Sequence, residues 1–243
     1  QAIKEGKTVV HYTLELQDTI IGTRYDSCIT GYPLSDIRNF KEEIYEEIKN
    51  LDGALIVKEY PTKSATTNTL RAHLSRLIKR EIKPGLIIVD YADLLKPVIV
   101  RKEKRNELES IYEELRALAS EFKCPIWTAS QTNRSGLNAE VITMEQISEA
   151  FNKCFVSDFI FSISRTIEDK QNNQGKIFIA KNRNGPDGMI YPIFMDTSHV
   201  KISILPKAIA PTTPNGVVTA PVALGVREQQ QLLRDKYSKL KRK

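Results

Sequence analysis

Four places in the sequence carry side chains whose type and position suit phosphoryl chemistry. Asp90 closes the apolar run Leu86-Ile-Ile-Val89. A carboxylate at the C-terminal end of a buried parallel strand sits where α/β sheets bind ligands, and it can hold a Mg²⁺ shell directly or through water. Glu15, in Thr13-Leu-Glu-Leu16, places a second carboxylate at another strand end, where it can polarise a water for attack on phosphorus. Gln131, in Ser130-Gln-Thr-Asn-Arg134, follows a third strand and offers an amide able to sense a γ-phosphate and reset a loop. Lys181 and Arg183, in Lys-Asn-Arg-Asn-Gly-Pro-Asp-Gly188, are two cations on alternate positions of a strand end, so they project the same way. Aimed at a neighbouring subunit's nucleotide, they would act as an arginine finger and its helper. Each has a plainer reading: a turn-forming aspartate, an acid at a helix start, a solvated hairpin.

The elements that must position these groups alternate. Thr8–Leu14 reads as a short β-branched strand, Leu34–Asp52 as a helix with Ile37, Phe40, Ile44, Tyr45 and Ile48 at helical spacing, and Ala54–Val57 as a buried strand. Thr69–Ile82 presents Leu70, Leu74, Leu77 and Ile78 on one helical face, Leu86–Val89 is a strand, and Glu103–Phe122 is a long amphipathic helix. Pro125–Ser130 is the next strand. This alternation predicts a parallel sheet flanked by helices. Asp158–Ser164, Lys176–Lys181, Met189–Met195 and Val200–Leu205 follow with only short turns, which predicts an antiparallel extension at the sheet edge.

A fifth segment is a decoy. Gly6-Lys7-Thr8 looks like the end of a phosphate-binding loop, but the full motif needs a glycine where Gln1 stands, and a helix after it. Here the following residues read as a strand, so a helix end and turn is expected instead.

The chain has 243 residues, enough for one sizeable domain or two small ones. No apolar run approaches the ~18 residues of a membrane span. Cys28, Cys124 and Cys154 lie far apart without a C-x-x-C pair, so a disulfide scaffold or zinc ribbon is not expected and a reducing compartment fits. His11, His73 and His199 are scattered and read as surface or satisfied core residues rather than metal ligands. The net charge of +6 is local. Residues 226–243 hold seven basic and two acidic residues, +5 of it, whereas the other 225 residues carry 29 basic and 28 acidic groups. The high pI therefore says nothing about the globular part. Residues 206–225 are rich in Pro, Thr and Ala and read as a semi-extended linker. In residues 226–243, Val226, Leu233, Tyr237 and Leu240 fall on one face of a basic amphipathic helix.

Taken together, Thr-Leu-Glu-Leu, Ile-Ile-Val-Asp-Tyr, Ser-Gln-x-Asn-Arg and Lys-x-Arg-Asn-Gly-Pro-x-Gly, in this order, resemble the C-terminal motor domain of the DnaB-type replicative helicases, within the RecA-like ATPases. The resemblance spans residues 1–205. It implies a RecA-like fold and a ring, usually a hexamer, that hydrolyses ATP with Mg²⁺ at subunit interfaces, translocates on single-stranded DNA and unwinds duplex at a replication fork. By that resemblance Glu15 is the catalytic base, Asp90 the Mg²⁺ acid, Gln131 the coupling residue, and Lys181 and Arg183 the cations that reach the next subunit's nucleotide. Two loops would face the central channel. In the first, about Lys96–Asn106, Arg101, Lys102, Lys104, Arg105 and Asn106 offer phosphate contacts, although the same residues read equally as an exposed helix start. The second, about Ser135–Lys153 with Arg134 before it, places Arg134 and Lys153 among candidate DNA contacts. There the family often has Arg-Glu-Ser-Gly, and this chain has Ser148-Glu-Ala-Phe151.

The family's P-loop and the strand before it, an interior member of its sheet, are not in these residues. The favoured expectation is that the chain is part of a longer polypeptide, and the alternative is a relative that keeps the fold without catalysis. A cytoplasmic location, in a bacterium or a phage-infected cell, and a primase or loader docking on the C-terminal helix are further implications of the resemblance. A strand-exchange recombinase of the same superfamily is a second reading, and a non-catalytic scaffold or loader protein a third.

Overall fold

The computed structural model describes residues 1–133, 139–146 and 153–206. Four parallel strands form the first sheet: β1 (Thr8–Thr13), β2 (Ala54–Glu59), β3 (Pro84–Asp90) and β4 (Ile126–Thr128), in the order β2-β1-β3-β4. Helices α1 (Asp18–Thr30) and α2 (Lys41–Lys49) connect β1 to β2, α3 (Thr67–Lys79) connects β2 to β3, and α4 (Lys104–Phe122) connects β3 to β4. β1 sits between β2 and β3 with Thr13 opposite both Glu59 and Asp90, and β3 pairs with β4 from Ile87↔Ile126 to Val89↔Thr128. The loops after β1, β3 and β4 therefore emerge on one edge.

Alternation along β1 explains the layers. Val10 and Tyr12 point into the main core with Leu70, Leu74 and Leu77 of α3 and Ile111, Leu115 and Leu118 of α4. Each such fully buried side chain contributes about 1.5–3 kcal/mol of apolar burial. His11 points to the other face, where its Nδ1 meets the Tyr25 hydroxyl of α1 at 3.0 Å. α3 starts where a capping box can form: Thr66 Oγ1 accepts from the Thr69 amide, and Thr69 Oγ1 accepts from the Thr66 amide.

α1 is an element the sequence reading does not contain. Ile21, Tyr25, Cys28 and Ile29 share one face, but Thr19, Gly22, Thr23 and Thr30 are weak helix formers, and Ile20 lies off that face and stays exposed. It ends at Gly31, whose left-handed backbone donates to Ser27 O. Glu15 is accordingly not a helix-start acid, since α1 begins at Asp18.

After the short helix α5 (Lys153–Val156), strands β5 (Phe159–Ser164), β6 (Gln174–Asn182), β7 (Ile190–Asp196) and β8 (Lys201–Ile204) form an antiparallel sheet in sequence order, with α6 (Ile167–Gln171) between β5 and β6. The sequence places these strands as an extension of the parallel sheet; among the described residues they form a sheet of their own. There β4 bonds only to β3, and β5 only to β6. Between them lies a cleft of about 370 Å³ lined by Trp127, Ser130, Lys153, Phe159, Phe161 and Ile163. Trp127 bridges part of it, its ring 5.6 Å from that of Phe161 and 6.3 Å from that of Phe159. The sheets are also tied at the other end, where the Leu34 amide donates to Ser198 O in the β7–β8 turn.

Gly53, before β2, is required by close approach. A Cβ there would meet the Ile3 carbonyl oxygen and lie 2.7 Å from that of Lys7, both backbone atoms that cannot swing away. Gly22, inside α1, has no atom within 4 Å of its virtual Cβ. Gly53→Ala is expected to lower unfolding stability by about 1–3 kcal/mol, whereas Gly22→Ala raises it by up to ~1 kcal/mol through helix propensity. Urea titration of both variants checks this; equal midpoints for the two would contradict it.

Candidate functional site

The edge at the C-terminal ends of β1, β3 and β4 is built by polar contacts of buried residues. Thr13 is fully buried, and its hydroxyl donates to Leu16 O (2.7 Å) and accepts from the Leu16 amide (3.2 Å), closing a turn that leaves Glu15 exposed at its crest. The Leu14 amide donates to Asp90 O at 2.9 Å, and Thr62 Oγ1 donates to Leu14 O at 2.7 Å. Glu15 is thus fixed by backbone beside the end of β3. Asp90 itself is half-buried, and its peptide to Tyr91 is cis. Gln131 Nε2 donates to the Tyr91 hydroxyl at 3.0 Å. Burial and then the charges of Glu15, Asp93 and Asp90 push the Tyr91 phenol above its usual pKa. The structure therefore brings Glu15, Asp90 and Gln131 to one edge.

Among the described residues no group of three His, Cys, Asp or Glu side chains could hold a metal by itself. Mg²⁺ does not need one, because it is usually held by one or two carboxylates together with phosphate oxygens and waters. Asp90, half-buried at a strand end with Glu15 beside it, fits that demand. Gly6-Lys7 does not fit a triphosphate. Gly6 is the left-handed end of a 3-10 turn (Ile3–Glu5) preceding β1, at the opposite end of the strand from Asp90, and Lys7 packs against Gly85.

Lys181 and Arg183 do not lie free in solvent. Lys181, at the end of β6, donates to Cys154 O (2.8 Å) and Phe155 O (3.2 Å). Arg183 donates to Phe155 O (2.8 Å) and to Asp158 Oδ1 (2.7 Å). Both reach the same carbonyl, so they do project to one side of the hairpin. Arg116 of α4 shares Asp158 Oδ1 at 2.9 Å. Hydrogen bonds from Arg116 and then Arg183 hold the Asp158 carboxyl below its ordinary pKa. Partial burial, followed by the Arg183 charge, lowers that of Lys181.

The basic segment divides. Arg101 and Lys102 precede α4, and Lys104, Arg105 and Asn106 form its first turn; the four cations are exposed, and the Arg101 amide donates to Glu107 Oε1. The segment is an exposed helix start, as the plain reading has it. Cations there oppose the helix dipole, so their placement does not serve helix stability. Val98, Ile99 and Val100, just before them, are also exposed. Arg134 lies outside the described residues, as do residues 207–243, on which nearly all of the expected linker and all of the expected C-terminal helix fall.

Lys153 requires a correction. The sequence reading gives it to DNA, yet its side chain is 2% exposed and donates to Asp93 Oδ2 (3.0 Å) and Ser130 Oγ (2.6 Å). A buried ammonium must be paired, and here the partner is internal. Nor does His11 match a satisfied core histidine: it is buried, and its Nε2 has no partner among the described residues. Burial lowers its pKa, opposed by the charge of Asp90. Sequence reasoning quotes Tyr91 and Ser130 within motifs without giving them a role, and it passes over Asp93 and Tyr112, although Asp93 is an acid three residues after Asp90.

A family model for the DnaB-like helicase C terminal domain matches residues 1–200. The chain belongs to this family. It is similar to the DnaB-like replicative helicase of Enterobacteria phage T4, with 32% identity over 193 residues, covering 74% of this chain and 40% of the phage protein. It is also similar to the replicative DNA helicase DnaB of Rickettsia typhi, with 25% identity over 233 aligned residues, covering 84% of this chain and 46% of that protein. Two solved structures share the fold. One is a DnaB-like replicative helicase described with its interactions with primase (TM-score 0.68, 18% identity, 82% of this chain and 51% of that one). The other is a separately solved ATPase domain (TM-score 0.68, 19% identity, 84% and 76%). The chain spans less than half the length of the two curated relatives. This DnaB-like domain has the RecA-like α/β fold of those neighbours, with a parallel sheet flanked by helices and an antiparallel sheet. No helix among the described residues is long and apolar enough to cross a membrane.

The Asp158 contacts imply a pH dependence. Its pKa is depressed in the folded state, so its stabilising contribution is present above the unfolded carboxylate pKa of about 4 and is lost as pH falls through the lower folded value. Asp158→Asn should flatten the acid limb of hairpin protection, read by amide exchange of residues 181–183 between about pH 5 and 2. Superimposable acid limbs in variant and wild type would remove this role from Asp158.

Proposed function

We propose that this chain is the motor portion of an ATP-driven ring helicase that moves along single-stranded DNA and unwinds duplex at a replication fork. The observation that carries the reading is the shared edge of Glu15, Asp90 and Gln131 in a DnaB-like domain. In it Asp90 holds Mg²⁺ on the nucleotide, Glu15 orients and deprotonates the attacking water, and Gln131 relays the state of the γ-phosphate into the segment that follows it. Lys181 and Arg183 serve the nucleotide of the next subunit in the ring, and their carbonyl partners on α5 set the angle at which they leave the hairpin.

In this reading hydrolysis takes place at the subunit interfaces of a homo-oligomer, a hexamer as the family resemblance implies. Arg101, Lys102, Lys104, Arg105 and Asn106, with Arg134, supply contacts to the phosphates of the DNA strand. The cleft between β4 and β5 has apolar walls and, among the described residues, two strand edges without a partner strand. It suits the strand that leads into a phosphate-binding loop. Residues 226–243 dock a primase or loader through their apolar stripe. The compartment is the bacterial cytoplasm, or that of the host for a phage protein. A strand-exchange ATPase is the weaker reading, because the Lys-x-Arg-Asn-Gly-Pro hairpin belongs to the helicase pattern.

Two measurements test this. In the complete protein, Asp90→Asn should abolish Mg²⁺-dependent ATP hydrolysis while circular dichroism stays that of the wild type, since the amide removes the charge that holds the metal. Hydrolysis at the wild-type rate would take Asp90 out of the site. Arg183→Ala should leave nucleotide affinity nearly unchanged and lower turnover by ~10³-fold or more. Mixing Arg183→Ala subunits with Glu15→Gln subunits should restore part of the activity, because one kind of mixed interface carries neither lesion. An absence of recovery would place Arg183 within its own subunit's chemistry or outside the chemistry altogether.

A further inference from the structure

We propose that Lys153 is a positioning residue: with Asp93 it latches the Asp90–Gln131 edge to helix α5, and through α5 to the Lys181/Arg183 hairpin. The proposal rests on the reading of these two groups as parts of the motor, and it adds a physical link between them.

The latch is a closed polar cluster. Asp93 lies three residues after Asp90, and Ser130 lies immediately before Gln131. Lys153 Nζ donates to Asp93 Oδ2 at 3.0 Å and to Ser130 Oγ at 2.6 Å, and Ser130 Oγ donates onward to Asp93 Oδ2 at 3.2 Å. The other carboxylate oxygen accepts from the Tyr112 hydroxyl at 2.9 Å, and the ammonium stands 5.5 Å from the centre of the Tyr112 ring. One carboxylate therefore gathers the loop after β3, the end of β4, the middle of α4 and the start of α5.

The far side of α5 holds the hairpin. Its carbonyls at Cys154 and Phe155 accept from Lys181, and that of Phe155 accepts from Arg183. The carbonyl of Val156 accepts from Arg116. Only α5 separates the ammonium that grips Asp93 from the carbonyls that grip the two cations. A shift of Asp93 thus moves a single helical turn bonded at both ends. The same pair joins Ser130 and Lys153, the residues flanking the chain segment 131–152, so that segment begins and ends at one carboxylate.

Stability alone does not account for the arrangement. Burying an ammonium costs desolvation that its ion pair rarely exceeds, and an apolar side chain of the same length would pack in the same space. What the charged pair supplies is a directional contact that fixes the register of α5 against the β3 and β4 ends.

The test uses Asp93→Asn with Lys153→Met, which removes both charges and nearly preserves volume, so that neither is left buried and unpaired. Amide exchange of residues 181–183 should quicken at least tenfold in the double variant, while that of β1 and β3 changes by less than twofold. In the complete protein the Hill coefficient for ATP hydrolysis should fall toward one. Unchanged exchange at 181–183 would overturn the latch, and so would an equal increase throughout both sheets, because the pair would then only hold the fold together. Arg183→Ala is the control for the underlying reading. If it leaves turnover intact, the motor assignment of the hairpin fails while the exchange measurement still decides the latch. If it abolishes turnover and the double variant keeps its Hill coefficient, the assignment stands and the latch does not.

Discussion

The parallel pairing of β1 with β3, with Thr13 opposite Asp90, is the constraint on which the rest of the site depends. Parallel strands emerge on the same edge, so the chain must leave the sheet after Thr13, Asp90 and Thr128 side by side. The Leu14 amide bonded to the Asp90 carbonyl extends the ladder one step beyond β1 and carries Glu15 along with it. The side chain of Thr13 then turns the chain, so the carboxylate at the crest stays in solvent beside a half-buried one. Two acids of different exposure thus stand at one edge, Glu15 exposed and Asp90 half-buried.

That edge works only if its loops hold still, and the means is polar rather than apolar. Tyr91, Tyr112, Ser130 and Lys153 converge on Asp93 or on Gln131, and Asp93 has both carboxylate oxygens satisfied. The inner part of this network, Lys153 and Tyr112 on Asp93, is shielded from solvent, so losing a partner there costs more than at the exposed Ser130 and Gln131. Hydroxyls of Thr62 and Thr128 extend the same principle: the first donates to Leu14 O, and the second donates to Val89 O and accepts from the Ala92 amide. The apolar core beneath, from Val10 and Tyr12 to Leu115 and Leu118, fixes the strands, and the hydroxyls fix what leaves them.

The cations follow a similar division. Those of the β6–β7 hairpin are held by carbonyls of α5 and by Asp158, whereas those before and within the first turn of α4 are exposed at a helix end whose dipole opposes them. An orientation fixed by several bonds suits a group that must reach one phosphate. Exposed cations on a helix start suit contacts to a repeating backbone, which asks for charge more than for aim.

Strong local periodicity made much of this legible in the sequence. The strands at Thr8, Ala54 and Leu86, and the helices that became α3 and α4, follow from apolar spacing that secondary structure of one type alone satisfies. The strand-end positions of Glu15, Asp90 and Gln131 follow in turn, because parallel topology collects strand ends. α1 was read less easily, since Gly22 and three threonines weaken the helical signal of Ile21, Tyr25, Cys28 and Ile29, and part of its contact is the polar meeting of Tyr25 with His11. Nor could spacing show that β5–β8 stand apart from β4, because strand pairing is a long-range choice between edges. The fate of Lys153 was decided only in three dimensions. A lysine's charge reads as exposed in any sequence, and it becomes internal only where the fold brings a carboxylate and a hydroxyl from sixty and twenty-three residues away to meet it.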